Sequence, residues 1–83
     1  MHYFVYILYT DPFDKYYIGQ TSDIIHRLLL HNSGKVKSTS PFVPWRMIGY
    51  IQKKSRAEAM ALEKKLKNLN RKRLLMFIEK YFE

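Results

Sequence analysis

The hydrophobic and polar positions of this chain follow two periods, and the places where one gives way to the other mark its elements. Residues 2–9, HYFVYILY, are aromatic and branched almost throughout, which is strand composition. TDPFD follows with Asp11 and Pro12 in turn positions, and strand character returns in KYYIGQ, residues 15–20. The two runs predict a hairpin whose loop is longer than two residues. Pairing residue 6 with residue 17 would point Tyr6 and Tyr17 from one face of the sheet, with Cβ atoms about 5 Å apart. Gly19 then marks a close backbone approach or a break in the strand.

From residue 24 the spacing changes to three and four. Thr21, Ser22 and Asp23 offer caps for a helix through IIHRLLLHN, which Asn32 to Gly34 can end. Its apolar residues occupy more than one side, as expected of an element packed across a sheet. KVKSTSPFVP, residues 35–44, reads as a basic loop bounded by prolines, and WRMIGYIQ, residues 45–52, as a third strand. SRAE at 55–58 matches a capping box. The helix it opens has a buried stripe of Ala59, Leu62, Leu66 and Leu69. Asn70 caps a third helix through RKRLLMFIEKYF, in which Leu74, Ile78, Tyr81 and Phe82 close over the core. These elements predict an α+β fold: a three-stranded, mainly antiparallel sheet flanked by three helices in the order ββαβαα, as a single domain over residues 1–83.

Length narrows the picture further. A chain of 83 residues supports one sheet layer with helices on it, and a site on its surface should be open and shallow. Without cysteine, disulfide frameworks, thiolate zinc sites and cysteine nucleophiles are excluded. The apolar N-terminal run lacks a basic leader and a cleavage pattern, and no stretch approaches a membrane span, so a cytoplasmic protein with no membrane partner is expected. The formal net charge is +8, and it is uneven: residues 1–50 carry five basic and three acidic side chains, residues 51–83 ten and four. A field of that sign attracts polyanions, with nucleic acid, an acidic protein and anionic lipid as the candidate partners.

Several residues suggest chemistry. Arg27 and His31 are four apart and share a helix face; one can hold a phosphate through paired hydrogen bonds, the other can move a proton near neutral pH. A solvated face with a cation at the helix C-terminus explains the same pair. Tyr6 and Tyr17 can pack and present hydroxyls to water, or act on a proton where positive charge such as that of Arg27 lowers the phenol pKa. Glu63, beside the buried stripe, can pair with Lys64 or Lys67, or bind a hard divalent cation whose shell is completed by water and phosphate. His2, His26, Asp11, Asp14 and Asp23 form no further metal pattern.

Taken together, FVY at 4–6, YIGQT at 17–21, DIIHRLLLHNSG at 23–34 and AMALEKKLKNL at 59–69 resemble the GIY-YIG nuclease superfamily, in particular its small stand-alone bacterial members. The likeness extends over nearly the whole chain. It implies a compact nuclease that hydrolyses a DNA strand with one divalent metal, Mg²⁺ or Mn²⁺. By that resemblance Tyr6 is the general base, Tyr17 orients the site, and Arg27 stabilises the phosphate and leaving oxygen. His31 partners the water or the tyrosine, and Glu63 is the metal ligand. Phe4 and Val5 replace the Gly and Ile of the family's first motif, at positions that set backbone and carry no chemistry.

Lys35, Lys37, Lys53, Lys54, Lys64, Lys65, Lys67, Arg71, Lys72 and Arg73 are candidates for contacts to a nucleic-acid backbone. Two other functions fit the same chain. One is a nucleic-acid-binding module with little or no turnover; the other is a protein-interaction domain presenting an apolar patch around FVPW. The resemblance places the nuclease in DNA repair or recombination, with a partner protein as a possible source of substrate specificity.

Overall fold

A computed structural model describes residues 2–82. Three strands, β1 (Tyr3–Thr10), β2 (Lys15–Thr21) and β3 (Arg46–Lys53), form an antiparallel sheet in the order β2-β1-β3. Three helices, α1 (Ile24–Asn32), α2 (Arg56–Lys67) and α3 (Arg71–Phe82), complete the expected ββαβαα order, with a 3-10 turn at Ser40–Phe42. Each helix begins where a short side chain can accept from a free backbone N–H. Asp23 accepts from His26 N, Ser55 from Glu58 N and Asn70 from Arg73 N. Gly34, at φ +80°, takes the left-handed backbone just beyond α1.

The sheet is covered on both faces rather than on one, because β1 lies between its neighbours and alternates its side chains to opposite sides. Val5 and Ile7 pack with Ile18 of β2, Ala59 and Leu66 of α2, and Leu74 and Ile78 of α3. Tyr6 and Leu8 face the other way, against Trp45, with Ile24 and Leu28 of α1 packed around them. The second apolar side of α1 stays in solvent, with Ile25 76% and Leu29 65% exposed. In α3, Phe82 docks its ring against Gly49, where a Cβ would come within 2.5 Å of it, while Tyr81 is 55% exposed and does not close the core. FVPW forms no surface patch: Trp45 is buried and Phe42 and Val43 pack beside it.

The hairpin register differs from the expected one. Tyr6 lies opposite Gly19, and Tyr17 lies opposite Leu8. The four-residue loop Asp11–Asp14 sets this offset, with Asp14 at φ 53° and its N–H donating to Thr10 O at 2.8 Å. Both tyrosines still share a face, because a shift of two residues preserves the alternation.

At the end of β1, Thr10 Oγ1 is buried with no hydrogen-bond partner among the described residues. Valine keeps the shape and removes the orphaned hydroxyl. Thr10→Val should therefore raise unfolding stability by about 1 kcal/mol, read as a higher denaturant midpoint at constant slope.

Candidate active site

The centre of the site is a buried chain of hydrogen bonds. The hydroxyl of Tyr6 lies 2.8 Å from His31 Nε2, and His31 Nδ1 lies 2.8 Å from Thr39 Oγ1. Tyr6 is 2% exposed, and His31 and Thr39 are both fully buried. His31 is therefore no solvated cation at a helix end.

The loop after α1 is fastened to make this possible. Asn32 Nδ2 donates to Trp45 O at 2.9 Å and Asn32 Oδ1 accepts from Trp45 N at 2.6 Å, while Trp45 Nε1 donates to Thr39 O at 2.9 Å. This bracket brings the loop back over α1 and sets Thr39 on the imidazole. Thr39 Oγ1 also donates to Val36 O at 3.4 Å, which leaves its lone pairs for His31 Nδ1–H. With the imidazole proton on Nδ1, Nε2 is the acceptor and Tyr6 the donor.

Gly19 explains why the second strand motif carries a residue without a side chain. A Cβ there would meet the Tyr6 hydroxyl at 2.5 Å and its Cζ at 2.7 Å, so the phenol can lie across β2 only because that position is bare. Tyr17 flanks the pair, its ring centroid 4.9 Å from that of His31 and 6.3 Å from that of Tyr6. Its hydroxyl makes no hydrogen bond among the described residues and is available to a ligand.

Burial sets the charge states. It pushes the Tyr6 phenol well above its ordinary range, Tyr17 and Glu63 add to the shift, and the nearby Arg27 guanidinium opposes it without winning. Burial, reinforced by Arg27, holds the His31 imidazole below its ordinary value. Both groups are neutral at pH 7.

Arg27 and Glu63 do not hydrogen-bond to these residues; Tyr6 senses them through their charge. Glu63 Oε1 accepts from Gln20 Nε2 at 3.1 Å, and Oε2 lies 3.4 Å from Lys67 Nζ. Gln20 also lines a depression of about 370 Å³ together with Tyr3, Thr21, Ser22, Arg27 and Arg56. Its carboxamide thus links the glutamate to the place where Arg27 emerges. Among the described residues no group of three His, Cys, Asp or Glu side chains converges. A lone carboxylate with a neighbouring amide fits only a cation that keeps several waters and uses phosphate oxygens, which is the habit of Mg²⁺.

Two of the proposed backbone contacts are already engaged. Lys67 pairs with Glu63. Arg71 is held by Asp14, and it belongs to a cluster at the hairpin tip: Asp11 pairs with Arg46, which lies over Tyr9; the Tyr9 ring is tilted against that of Tyr16, their centroids 4.7 Å apart; and Arg71 lies over Tyr16. Tyr9 also donates to Asp14 at 2.7 Å. Lys35, Lys37, Lys53, Lys54, Lys64, Lys65, Lys72 and Arg73 have no carboxylate partner among the described residues.

Thr39, Gln20 and Arg56 were not legible as site residues. A serine and threonine run amid lysines, KSTSP, was the one trace of Thr39. The others depend on contacts across the fold.

A model of the GIY-YIG catalytic domain family matches residues 2–76. The chain belongs to the GIY-YIG family. It is 44% identical over 57 residues to a UPF0213 protein of Streptococcus pneumoniae serotype 4, an alignment covering 68% of this chain and 58% of that protein. The chain thus spans less than two thirds of that relative's length. It is also similar to a UPF0213 protein from Bacillus halodurans whose solution NMR structure superposes with a TM-score of 0.66 at 31% identity, over 99% of this chain and 87% of that one. Within the matched span, Tyr6, Tyr17 and Gly19 share one face of the sheet, with His31 against Tyr6. The fold and the family suit association with nucleic acid, and among the described residues no helix is long and apolar enough to cross a membrane.

Proposed function

We propose that this GIY-YIG domain binds DNA and hydrolyses its phosphodiester backbone, with Mg²⁺ or Mn²⁺ held at Glu63. The observation that carries this proposal is the buried hydrogen bond from Tyr6 to His31. A binding surface needs cations, whereas a phenol joined to a neutral imidazole also offers a path for a proton, which binding alone does not use.

The high pKa of Tyr6 means that no phenolate stands ready at neutral pH. In the proposed mechanism Tyr6 is a relay. Its oxygen takes a proton from the attacking water as its own proton passes to His31 Nε2, so the phenol stays neutral and the imidazole becomes imidazolium. The hydroxide so formed makes the new P–O bond, and the bond from phosphorus to the 3′ oxygen breaks. Thr39 orients the imidazole and accepts from the Nδ1–H of the imidazolium. Tyr17 directs its free hydroxyl at the phosphate or the water, and Arg27 donates to phosphate oxygens as charge develops on them. The cation, when bound, supplies Lewis-acid charge at the phosphate and the leaving oxygen. Glu63 would hold that cation, with Gln20 fixing the carboxylate, once Lys67 withdraws.

A second function, a nucleic-acid-binding module without turnover, is favoured by the engagement of Glu63 with Gln20 and Lys67 and by the lack of a second carboxylate beside it among the described residues. Labelled duplex, nicked, flap and branched DNAs, incubated with Mg²⁺ or Mn²⁺, separate the two. Hydrolysis predicts metal-dependent products that fall by about a hundredfold or more in Glu63→Gln and Arg27→Ala. Binding without products above the Glu63→Gln background would leave the binding module. Preference for a branch, nick or flap, or its supply by a partner protein, would show in the same set of substrates.

A further inference from the structure

The chain has five arginines, and their surroundings divide them. Arg46 and Arg71 are committed to Asp11 and Asp14 and lie against tyrosine rings. Arg73 is exposed on the first turn of α3. Arg27 and Arg56 have no carboxylate partner among the described residues, and both line one depression of about 370 Å³. They reach it from different elements, Arg27 from α1 and Arg56 from the first residue of α2, with Gln20, Thr21 and Ser22 at the end of β2 between them.

Two guanidiniums without a carboxylate partner among the described residues both add positive potential to one polar recess, which favours an anion there. A guanidinium has five donors, and the recess adds hydroxyl groups and an amide. That equipment suits phosphate oxygens. If Arg27 is spent on the phosphate undergoing hydrolysis, Arg56, reaching the same depression from α2, is left for a neighbouring phosphate.

We infer that the depression between α1 and the start of α2 is a second phosphate subsite, in which Arg56 binds the phosphate next to the scissile one on the same strand and so fixes how the strand crosses the site. This rests on the proposed DNA substrate, but not on turnover. Arg56 is a binding residue here, and it takes no part in bond breaking.

The test is binding of a fluorescent nicked duplex in EDTA, where no hydrolysis occurs, across a range of salt. Arg56→Ala should weaken binding about five- to tenfold near 100 mM salt and reduce the slope of log K against log salt by about 0.7 to 0.9, the value of one phosphate contact. Lys80→Ala, on the last turn of α3, should bind as the wild type does. Single methylphosphonate linkages, placed one at a time near the nick, then locate the contact. One position should weaken the wild type as much as Arg56→Ala does and have no further effect in that variant. An unchanged salt slope in Arg56→Ala, or additive losses at every methylphosphonate position, would overturn the subsite.

The cleavage assay keeps this result apart from the nuclease proposal. Where products form, Arg56→Ala should raise KM and leave kcat within about twofold, whereas Arg27→Ala should lower kcat. Where no products form but the EDTA binding difference is seen, the subsite stands and the nuclease proposal falls. If the wild type binds none of these DNAs, both fall.

Discussion

Gly19→Ala should unfold the site from its middle. The new methyl would stand 2.5 Å from the Tyr6 hydroxyl, and the ring has nowhere to retreat because it is packed between Trp45, Leu8 and the rings of Tyr17 and His31. Overpacking of this kind costs about 1–3 kcal/mol, and parting Tyr6 from His31 leaves a buried ring nitrogen without a partner, about 1–3 kcal/mol more. The expected loss is about 2–5 kcal/mol in chemical denaturation, with product formation in the cleavage assay falling below detection. A Gly19→Ala protein that melts and cuts like the wild type would show that the phenol does not lie over this position.

The second large effect belongs to Tyr6→Phe. The ring shape is kept, so the core should survive, yet His31 Nε2 loses its donor at a cost of about 1–3 kcal/mol. Loss of the proton relay should lower the cleavage rate by about 10²- to 10⁴-fold. The imidazole itself gives an independent check. Its folded pKa is depressed, so at pH values below about 6.5 the unfolded chain binds a proton that the folded one does not. Stability from this group is complete above that pH and is lost as pH falls toward the folded value. In ¹⁵N spectra the His31 ring should titrate below the ordinary imidazole range, and its neutral form should carry the proton on Nδ1. Titration of His31 near 6.5 would contradict the burial that shifts it.

What could be read from the sequence was local. Strand composition in residues 2–9, the caps at Asp23, Ser55 and Asn70, and the stripe through Ala59, Leu62 and Leu66 each depend on neighbours within a turn or a strand, and each found its place. The motif residues Tyr6, Tyr17 and His31 came together because alternation and helical spacing preserve faces whatever the loop does. Register was harder, since it depends on the backbone angle of Asp14 in the loop, and an aspartate does not announce a left-handed turn. The cover on both sides of the sheet was hidden because VYIL reads equally as a strand buried on one face with tolerated tyrosine or as one buried on both. Thr39 and Arg71 were out of reach for another reason: a hydrogen bond to His31 and an ion pair to Asp14, 57 residues away, are set by tertiary packing and leave no periodic trace.

The two neutral residues of the relay are anchored in the densest part of the molecule. Tyr6 sits in the four-residue run Val5–Leu8 that is buried on both faces of the central strand, and His31 closes over it. In many enzymes a reactive group lies on a loop that can open while the scaffold holds. In the mechanism proposed above, the phenol that moves the proton belongs to the scaffold strand itself. Heat inactivation and global melting should therefore follow one curve, and a substitution beneath α2 or α3 that lowers the melting temperature should lower the temperature limit of activity by the same interval, without touching a single group that meets the substrate.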